Sequence, residues 1–326
     1  MSRLNWHTLW LLLACLALVF CALTHGAVAI DAGQLWQALL GEAPARIQLI
    51  LFDWRLPRVV IALLVGAALS VSGAIFQSLL RNPLGSPDVL GFNTGAYSGV
   101  LLALVLLPAG MENVTAAALA GGTLTAALVW LLAWRNGVET FRLIMVGIGV
   151  RALLMALNSW LVIGASLDAA LSAGLWSAGS LNGLTWSALP PVLAILLLAF
   201  IATLLLARPM RLLEMGDDTA AALGVPVERS RLWLMLTSVV LTAASTALVG
   251  PVSFIALVGP QIARRLCGGA RGLLPLSALC GALLLLAADY AAQHLFLPWQ
   301  LPVGVITVSL GGLYLFVLLL RETKGR

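Results

Sequence analysis

Residues 55–96 read RLPRVVIALLVGAALSVSGAIFQSLLRNPLGSPDVLGFNTGA, and this stretch decides the fold. After Arg58 it continues to Leu80 without a charged residue, which is long enough for the roughly 20 apolar residues that a helix needs to cross a bilayer. Proline and glycine interrupt the pattern at residues 82–87, and a second apolar run follows. Because backbone groups inside lipid must be satisfied or covered by protein or a water-filled cavity, the stretch predicts two membrane-spanning helices joined by a broken segment.

Composition extends this pattern to the whole chain. Of the 326 residues, 61% are hydrophobic and 10% are charged, and the mean hydropathy is +1.05. A soluble globular protein does not need so much apolar surface, and the strands of a β-barrel would alternate apolar and polar residues. We therefore predict an all-α polytopic membrane protein in which residues 1–326 form one transmembrane domain.

About ten transmembrane helices are predicted from the apolar runs. Their approximate bounds are 9–28, 57–80, 89–107, 114–134, 141–164, 188–207, 232–250, 252–266, 273–296 and 303–320. The run at 252–266 is the least certain because it is short, and a segment at 169–180 is too brief to cross. The first run ends in Ala27-Val28-Ala29, which resembles a signal-peptidase site, so a cleaved signal is an alternative to an uncleaved first helix.

The basic residues predict the orientation in the membrane. With the N terminus inside, one side holds fourteen of them, and the other side holds only Arg46, Arg55 and Arg58. The fourteen are Arg3, Arg81, Arg135, Arg142, Arg208, Arg211, Arg229, Arg231, Arg264, Arg265, Arg271, Arg321, Lys324 and Arg326. Because basic residues accumulate on the cytoplasmic side, both termini are predicted to be cytoplasmic. Residues scattered at helix ends in this way do not form a nucleic-acid surface.

The longest polar island is RPMRLLEMGDDTAAALGVPVERSR, residues 208–231. Asp217 or Asp218 is predicted to cap a short helix through residues 220–223, because a short acceptor side chain satisfies free N–H groups at a helix start. Gly224 suits the left-handed position after that helix, and Pro226 suits the first turn of a second one. Local chemistry alone leaves two interpretations open, a solvated loop or a docking element for a cytoplasmic partner.

Two charged residues fall inside predicted spans. Arg151 lies near half depth, where a charge costs at least ~2.5 kcal/mol, so it is expected to face a partner or a cavity, or to snorkel towards the cytoplasm. Asp289 lies about two-thirds along the 273–296 run. It is either a counter-charge for Arg151 or a cap at a local helix break.

The sequence carries no enzyme signature. Three histidines do not form an H-E-x-x-H zinc site, and neither a G-x-S-x-G elbow nor a P-loop occurs. The four cysteines have no metal-ligand spacing. We therefore predict no catalysis, metal or cofactor in this chain. ATP-driven transport would need a separate ATPase, which favours docking at residues 208–231.

Several long blocks resemble the iron-siderophore and cobalamin permease family of bacterial ABC importers. They are residues 55–96, GPVSFIALVGPQIARR (250–265), LLPLSALCGALLLLAAD (273–289) and LPVGVITVSLGG (301–312). Within the family, three stretches resemble the permeases for ferric enterobactin and related catecholate siderophores. These are RNPLGSPDVLGFNTGAYSGVLLA (81–103), FRLIMVGIGVRALL (141–154) and LLEMGDDTAAALGVPVERSRL (212–232).

The resemblance implies a type II ABC importer permease in the bacterial inner membrane, with ten helices per subunit. It implies a second, homologous permease subunit in a heterodimer, two cytoplasmic ATPase subunits that hold ATP and Mg, and a periplasmic siderophore-binding protein. The cargo would be a ferric siderophore. An ion-coupled secondary transporter is the alternative, although Asp289 is the one carboxylate clearly inside a predicted span. A non-transporting scaffold would not explain the broken helices.

Family motifs also imply roles for individual residues. The coupling helices that enter the ATPase are implied at about 212–231, with the residues Glu214, Asp217, Asp218, Ala221, Gly224 and Glu228. Docking of the binding protein is implied for Arg55 and Arg58, for which lipid headgroup anchoring is the alternative. A cytoplasmic gate is implied at Thr140 and Phe141. The chain departs from the family pattern at Gln261 and Gln293, where relatives usually have histidine and arginine.

Overall fold

The computed structural model describes residues 3–106, 111–135, 137, 139–267, 272–296 and 299–324. The described secondary structure is helical, as the apolar runs predict, and the described residues include no β-strand. The helices are α1 (Arg3–Thr24), α2 (Ala32–Leu39), α3 (Ala45–Gln48), α4 (Leu56–Leu80), α5 (Phe92–Leu106), α6 (Met111–Ala133), α7 (Thr140–Gly164), α8 (Leu167–Ser177), α9 (Leu189–Glu214), α10 (Asp217–Ala222), α11 (Val227–Val249), α12 (Ile255–Cys267), α13 (Leu273–His294) and α14 (Val303–Lys324). A π-helical segment (Leu49–Arg55) precedes α4, and short 3-10 turns occupy Pro87–Leu90 and Trp186–Ala188.

Seven helical stretches in the described residues are long and apolar enough to span a membrane. They are Trp6–Thr24, Ala45–Leu80, Asn113–Ala133, Phe141–Gly164, Trp186–Glu214, Val227–Val249 and Leu273–His294. The predicted count of about ten is not confirmed. The apolar parts of α5 and α14 are shorter, and α12 has only 13 residues. The segment predicted to be too brief to cross forms α8, which has 11 residues.

Helices α4 and α11 occupy the centre of the bundle. Seventy-eight per cent of the most apolar window of each is buried, whereas the value for α1 is 11%. Helix α4 packs against α9, α11, α12 and α13, so its buried side chains belong to several core clusters. Between α4 and α11, Ser72 shares hydrogen bonds of 2.7 Å with the hydroxyls of Ser238 and Thr242. Central helices in lipid are held in this way by close packing and buried hydroxyl contacts.

Glycines set the close approach of α4 to its neighbours. A Cβ at Gly66 would lie 2.4 Å from the carbonyl oxygen of Gly281 in α13. One at Gly73 would lie 1.6 Å from the carbonyl oxygen of Ala256 in α12. Larger side chains are excluded at both crossings, because backbone atoms occupy the space.

The predicted break after α11 is present and is covered by protein. Helix α11 ends at Val249 with Gly250 as its C-cap, and the non-helical residues 251–254 include Phe254 with a φ of 69°. The backbone N–H of Ser180 donates to the Val249 carbonyl at 2.8 Å, and that of Gly304 donates to the Gly179 carbonyl at 3.1 Å. The residues just after α8 therefore satisfy the last carbonyl of α11, and Gly179 and Gly304 pack against Pro251 and cover this part of the break.

We expect Gly73→Ala to lower the free energy of unfolding by about 1–3 kcal/mol, because the added methyl group overlaps the Ala256 carbonyl. Gly149→Ala is the matched control, since a Cβ there meets nothing within 4 Å in the described structure. The measurement is the thermal unfolding midpoint of the detergent-purified protein. Equal midpoints for the two variants would show that the α4–α12 contact is not as close as described.

Candidate functional site

The loop between α9 and α11 forms one short helix, α10, followed by the start of α11. The second short helix predicted for residues 212–231 is therefore the first turn of α11, which begins directly after Pro226. Gly224 has a φ of +79°, which confirms the predicted left-handed position. The N–H groups of Gly224 and Val225 donate to the carbonyls of Ala221 and Ala220, so these two carbonyls at the end of α10 are satisfied.

The predicted cap of α10 is wrong. Gly216 occupies the N-cap position with a φ of +116°, and no side chain caps the helix. Asp217 and Asp218 are instead its first two helical residues, where a carboxylate interacts favourably with the helix dipole. The positive φ of Gly216 starts the helix one residue earlier than a capping aspartate would.

Two acidic residues of the loop bind the end of α4 and its neighbours. Glu214 accepts hydrogen bonds from the Ser78 hydroxyl and, at 3.0 Å, from the Arg264 guanidinium. Asp217 forms ion pairs with Arg81 and, at 2.9 Å, with Arg231. Although burial raises the pKa of Asp217, Arg231 and Arg81 lower it below its usual value. The loop is thereby fixed to the C-terminal end of α4 and to α12.

Sequence reasoning missed these anchors. Arg81 and Arg264 entered it only as markers of orientation, and Ser78 did not enter it. Arg81 also donates to the Leu213 carbonyl and adopts a left-handed φ of 47°. The sequence feature that could have indicated this role is the opposite charge of Arg81 and the acidic residues of the loop. These residues lie far apart in sequence.

The remaining predicted loop residues point outward. Asp218, Ala221, Gly224 and Glu228 are exposed. Leu223 is 56% exposed, although a large apolar side chain is costly to leave in water. This side of α10 therefore combines a negative charge with an apolar surface, and the chain itself does not cover it.

The two predicted docking arginines are engaged within the chain. Arg58 forms a bidentate ion pair with Asp289, with Nε to Oδ2 at 2.8 Å and Nη2 to Oδ1 at 2.7 Å, and Gln293 donates to Oδ2 at 2.9 Å. The side chain of Asp289 is 2% exposed, and that of Arg58 is 16% exposed. Arg55 donates to the carbonyls of Leu23 and Val28 at the end of α1. Docking of a binding protein through these arginines stays a prediction.

The partner of Asp289 corrects one alternative from the sequence. Asp289 is the counter-charge of Arg58, not of Arg151. Gln293, which stands at a family arginine position, completes the same carboxylate contact. The predicted gate residues lie at the start of α7, where Phe141 is 69% exposed, and the structure does not describe the side chain of Thr140.

A groove of about 920 Å³ opens between α5, α7, the end of α8, the broken segment at 251–253 and the start of α14, and we name it the α7 groove. Its polar side chains include Asn93, Thr94, Tyr97, Arg151, Asn158 and Ser253. Arg151 is exposed in this groove and makes no ion pair in the part of the chain that the structure describes. The described residues include no group of three metal-ligating side chains.

Asp88, which sequence reasoning did not single out, lies in the 3-10 turn between α4 and α5 and accepts a hydrogen bond from Asn93. Burial raises the pKa of Asp88 to about 6, although Arg151 and Asn93 both lower it. An acidic residue thus lies within electrostatic reach of the groove arginine without pairing with it.

Comparison with known proteins identifies the family. Residues 12–321 match the FecCD transport family. The chain belongs to this family. FepG, the ferric enterobactin transport system permease protein of Escherichia coli K12, is 63% identical over 324 residues, which cover 99% of this chain and 98% of FepG. The achromobactin transport system permease protein CbrC of Dickeya dadantii is 38% identical, over 95% of this chain and 90% of CbrC.

A solved structure matches this FecCD chain along its length. It is a metal-chelate type ABC transporter in an inward-facing conformation, with a TM-score of 0.83 and 27% sequence identity, over 96% of this chain and 98% of that chain. The family predicted from the sequence is thereby confirmed. The same relatives make this chain a multi-pass membrane protein.

We expect Arg58→Met to lower the stability of this FecCD chain by about 3–5 kcal/mol, because it leaves the buried Asp289 carboxylate unpaired. The double variant Arg58→Met/Asp289→Leu should recover most of that loss, since it removes both charges. The thermal unfolding midpoint in detergent measures the stability of the single and the double variant. Arg46→Met is the control, because Arg46 is exposed. An equal loss in the single and double variants would contradict a stabilising ion pair.

Proposed function

We propose that this chain is a transmembrane permease subunit of an ATP-binding-cassette importer that moves a ferric siderophore from the periplasm to the cytoplasm. The observation that carries the proposal is the 63% identity to the ferric enterobactin permease FepG across nearly both full lengths. Ferric enterobactin or a related catecholate complex is therefore the proposed cargo. The chain lies in the bacterial inner membrane, crosses it about ten times and has both termini in the cytoplasm.

Partners follow from the same proposal. A homologous permease subunit completes a heterodimer, and two cytoplasmic ATPase subunits supply ATP and Mg, so this chain needs no cofactor of its own. A periplasmic binding protein delivers the siderophore. The outward side of α10 supports contact with an ATPase, because Asp218 and Leu223 are exposed there while Glu214 and Asp217 hold the loop in place.

Residue roles within this function divide between the two ends of the bundle. Arg55 and Arg58 are proposed to take part in binding-protein docking. A docked carboxylate would have to share Arg58 with Asp289, so this contact would be weaker than one with a free guanidinium. Thr140 and Phe141 are proposed as the cytoplasmic gate, and the exposure of Phe141 leaves its ring available to close a pore by size.

An ion-coupled secondary transporter is less well supported. Such carriers use intramembrane carboxylates that gain and lose a proton or an ion. Asp289 instead forms a bidentate ion pair with Arg58 and accepts from Gln293, which favours a structural role. The broken segment beside the α7 groove suits either class of transporter, so the energy source decides between them.

Reconstituted transport tests the proposed function. Proteoliposomes containing the permease pair and the ATPase, with binding protein and ⁵⁵Fe-labelled ferric enterobactin outside, should accumulate iron only when ATP and Mg are enclosed. A protonophore should leave the uptake unchanged, which controls for ion coupling. Liposomes that lack this chain should show background uptake. Accumulation without ATP would overturn the proposal.

The docking role of α10 has its own test. We expect Asp218→Arg to reduce co-purification of the ATPase and ATP-driven uptake by at least about fivefold, roughly 1 kcal/mol, because it reverses an exposed charge on the proposed contact surface. Asp168→Arg is the control, since Asp168 is an exposed acidic residue in the first turn of another short helix, α8. If the ATPase co-purifies with the Asp218→Arg variant as well as with the wild type, the charge of Asp218 does not contribute to docking.

A further inference from the structure

The α7 groove has the size and the lining of a ligand site. Its volume of about 920 Å³ lies at the upper end of the roughly 300–1,000 Å³ of small-molecule sites. Amides, hydroxyls and one guanidinium line it among apolar side chains. Tyr97 gives the groove an aromatic wall, and its ring stacks on that of Trp176 with a centroid separation of 6.3 Å and an interplanar angle of 9°. Such a wall can pack against a flat aromatic ligand.

Arg151 brings a charge into this groove that the chain does not neutralise by contact. It lies near the middle of α7, and its guanidinium forms neither an ion pair nor a hydrogen bond among the described residues. The charged residue within electrostatic reach is Asp88. A charge at membrane depth is costly unless it faces a partner or a water-filled cavity, and Arg151 faces the open groove, so its guanidinium is available to an anion from outside the chain.

Close packing holds Arg151 in place. Gly91 has a φ of +82°, and a Cβ there would lie 2.9 Å from the Cβ of Arg151. One turn earlier on α7, a Cβ at Gly147 would lie 2.6 Å from the Leu90 side chain. On the far side of the groove arginine, Asn158 donates to the Thr94 carbonyl at 3.3 Å. The backbone of α7 is thereby fixed against the turn that carries Asp88, so the point from which the Arg151 side chain extends into the groove is fixed.

We propose that the α7 groove is this chain's half of a transient site for a trianionic ferric tris-catecholate, in which Arg151 pairs with the anionic oxygens of the chelate. This inference rests on the proposed function and names the cargo contact within it. Three doubly deprotonated catecholates around Fe³⁺ leave a net charge of 3−, and a guanidinium donates to such paired oxygens through two N–H groups. A catechol ring would pack on the Tyr97 ring, which lines the groove and stacks on Trp176.

Asp88 limits the strength of this site. Its carboxyl group lies within electrostatic reach of Arg151 and therefore offsets part of the positive potential in the groove. A transport site must release its cargo, and a weaker potential shortens the bound time. Removal of the arginine charge and removal of the aspartate charge should consequently change chelate binding in opposite directions, which a purely structural role for either residue would not produce.

Equilibrium dialysis of ⁵⁵Fe-labelled ferric enterobactin against the detergent-purified permease–ATPase complex, without binding protein, tests the site. We expect about tenfold weaker binding with Arg151→Gln, the loss of one charged hydrogen-bonded contact, and intermediate binding with Arg151→Lys, which keeps the charge but loses the paired N–H geometry of the guanidinium. Asp88→Asn should bind more tightly than the wild type. Arg142→Gln, at the start of the same helix and paired with Glu139, is the control and should leave binding unchanged. A neutral ferric tris-hydroxamate should compete at least about tenfold less well than unlabelled ferric enterobactin.

The outcomes separate this inference from the proposed function. If the wild-type complex shows no ATP-driven uptake of ferric enterobactin, the proposed function fails. If uptake is present but Arg151→Gln binds the chelate as tightly as the wild type, the groove site is overturned. Equal competition by the neutral hydroxamate overturns it as well. Loss of the second permease subunit from the purified Arg151→Gln complex also overturns it, because the guanidinium would then belong to the subunit interface.

Discussion

The close contact of α4 with α12 and α13 is the constraint on which the rest of the structure depends. Lipid supplies no hydrophobic drive between helices, so packing at small residues and buried polar contacts must hold them together. Gly66 and Gly73 allow the backbones to touch, and the ends of α4 are then fixed by charge. Arg58 binds Asp289 of α13 at one end, and Ser78 and Arg81 bind the α9–α11 loop at the other.

This arrangement gives the outward loop a physical route into the bundle. Arg81 contacts Asp217 at the end of α4, and the chain then passes through the broken segment and Asp88 to Gly91, which lies against Arg151. A displacement of α10 therefore acts on the same segment that positions the groove arginine. The Glu228 carboxylate, in the first turn of α11, also lies beside Gly137, just before α7 begins, so this end of the loop is close to the start of α7 as well. Spatial continuity of this kind makes coupling possible, and a measured interaction energy would establish it.

The sequence predicts the helices better than their pairing, and the reason is physical. Apolar length and proline breaks depend on local composition, so they locate α4, α7 and the break after Gly250. Gly224 was predictable because few residues other than glycine adopt a positive φ readily. The partner of Asp289 was not predictable, since it depends on how α4 and α7 are rotated about α13. The sequence offers two arginines, Arg58 and Arg151, as partners for Asp289. The pair forms with Arg58, which is 231 positions away in sequence. The prediction of the α10 cap was wrong because Gly216 and Asp217 both suit a helix start. The ion pairs of Asp217 with Arg81 and Arg231 are consistent with its place inside the helix.

The two intramembrane charges of the sequence have opposite physical roles because their surroundings differ. Asp289 is buried and holds Arg58 with ideal bidentate geometry, so its charge is saturated and contributes to the fold. Arg151 faces an open groove and has only an unpaired electrostatic neighbour, so its charge is available to a ligand. A transport path for a highly charged complex needs this second kind of group, because a fully neutral lining offers no attraction and a fully paired one offers no free donor. In the proposed site, a single guanidinium moderated by one nearby carboxyl group would attract a trianion without holding it for long.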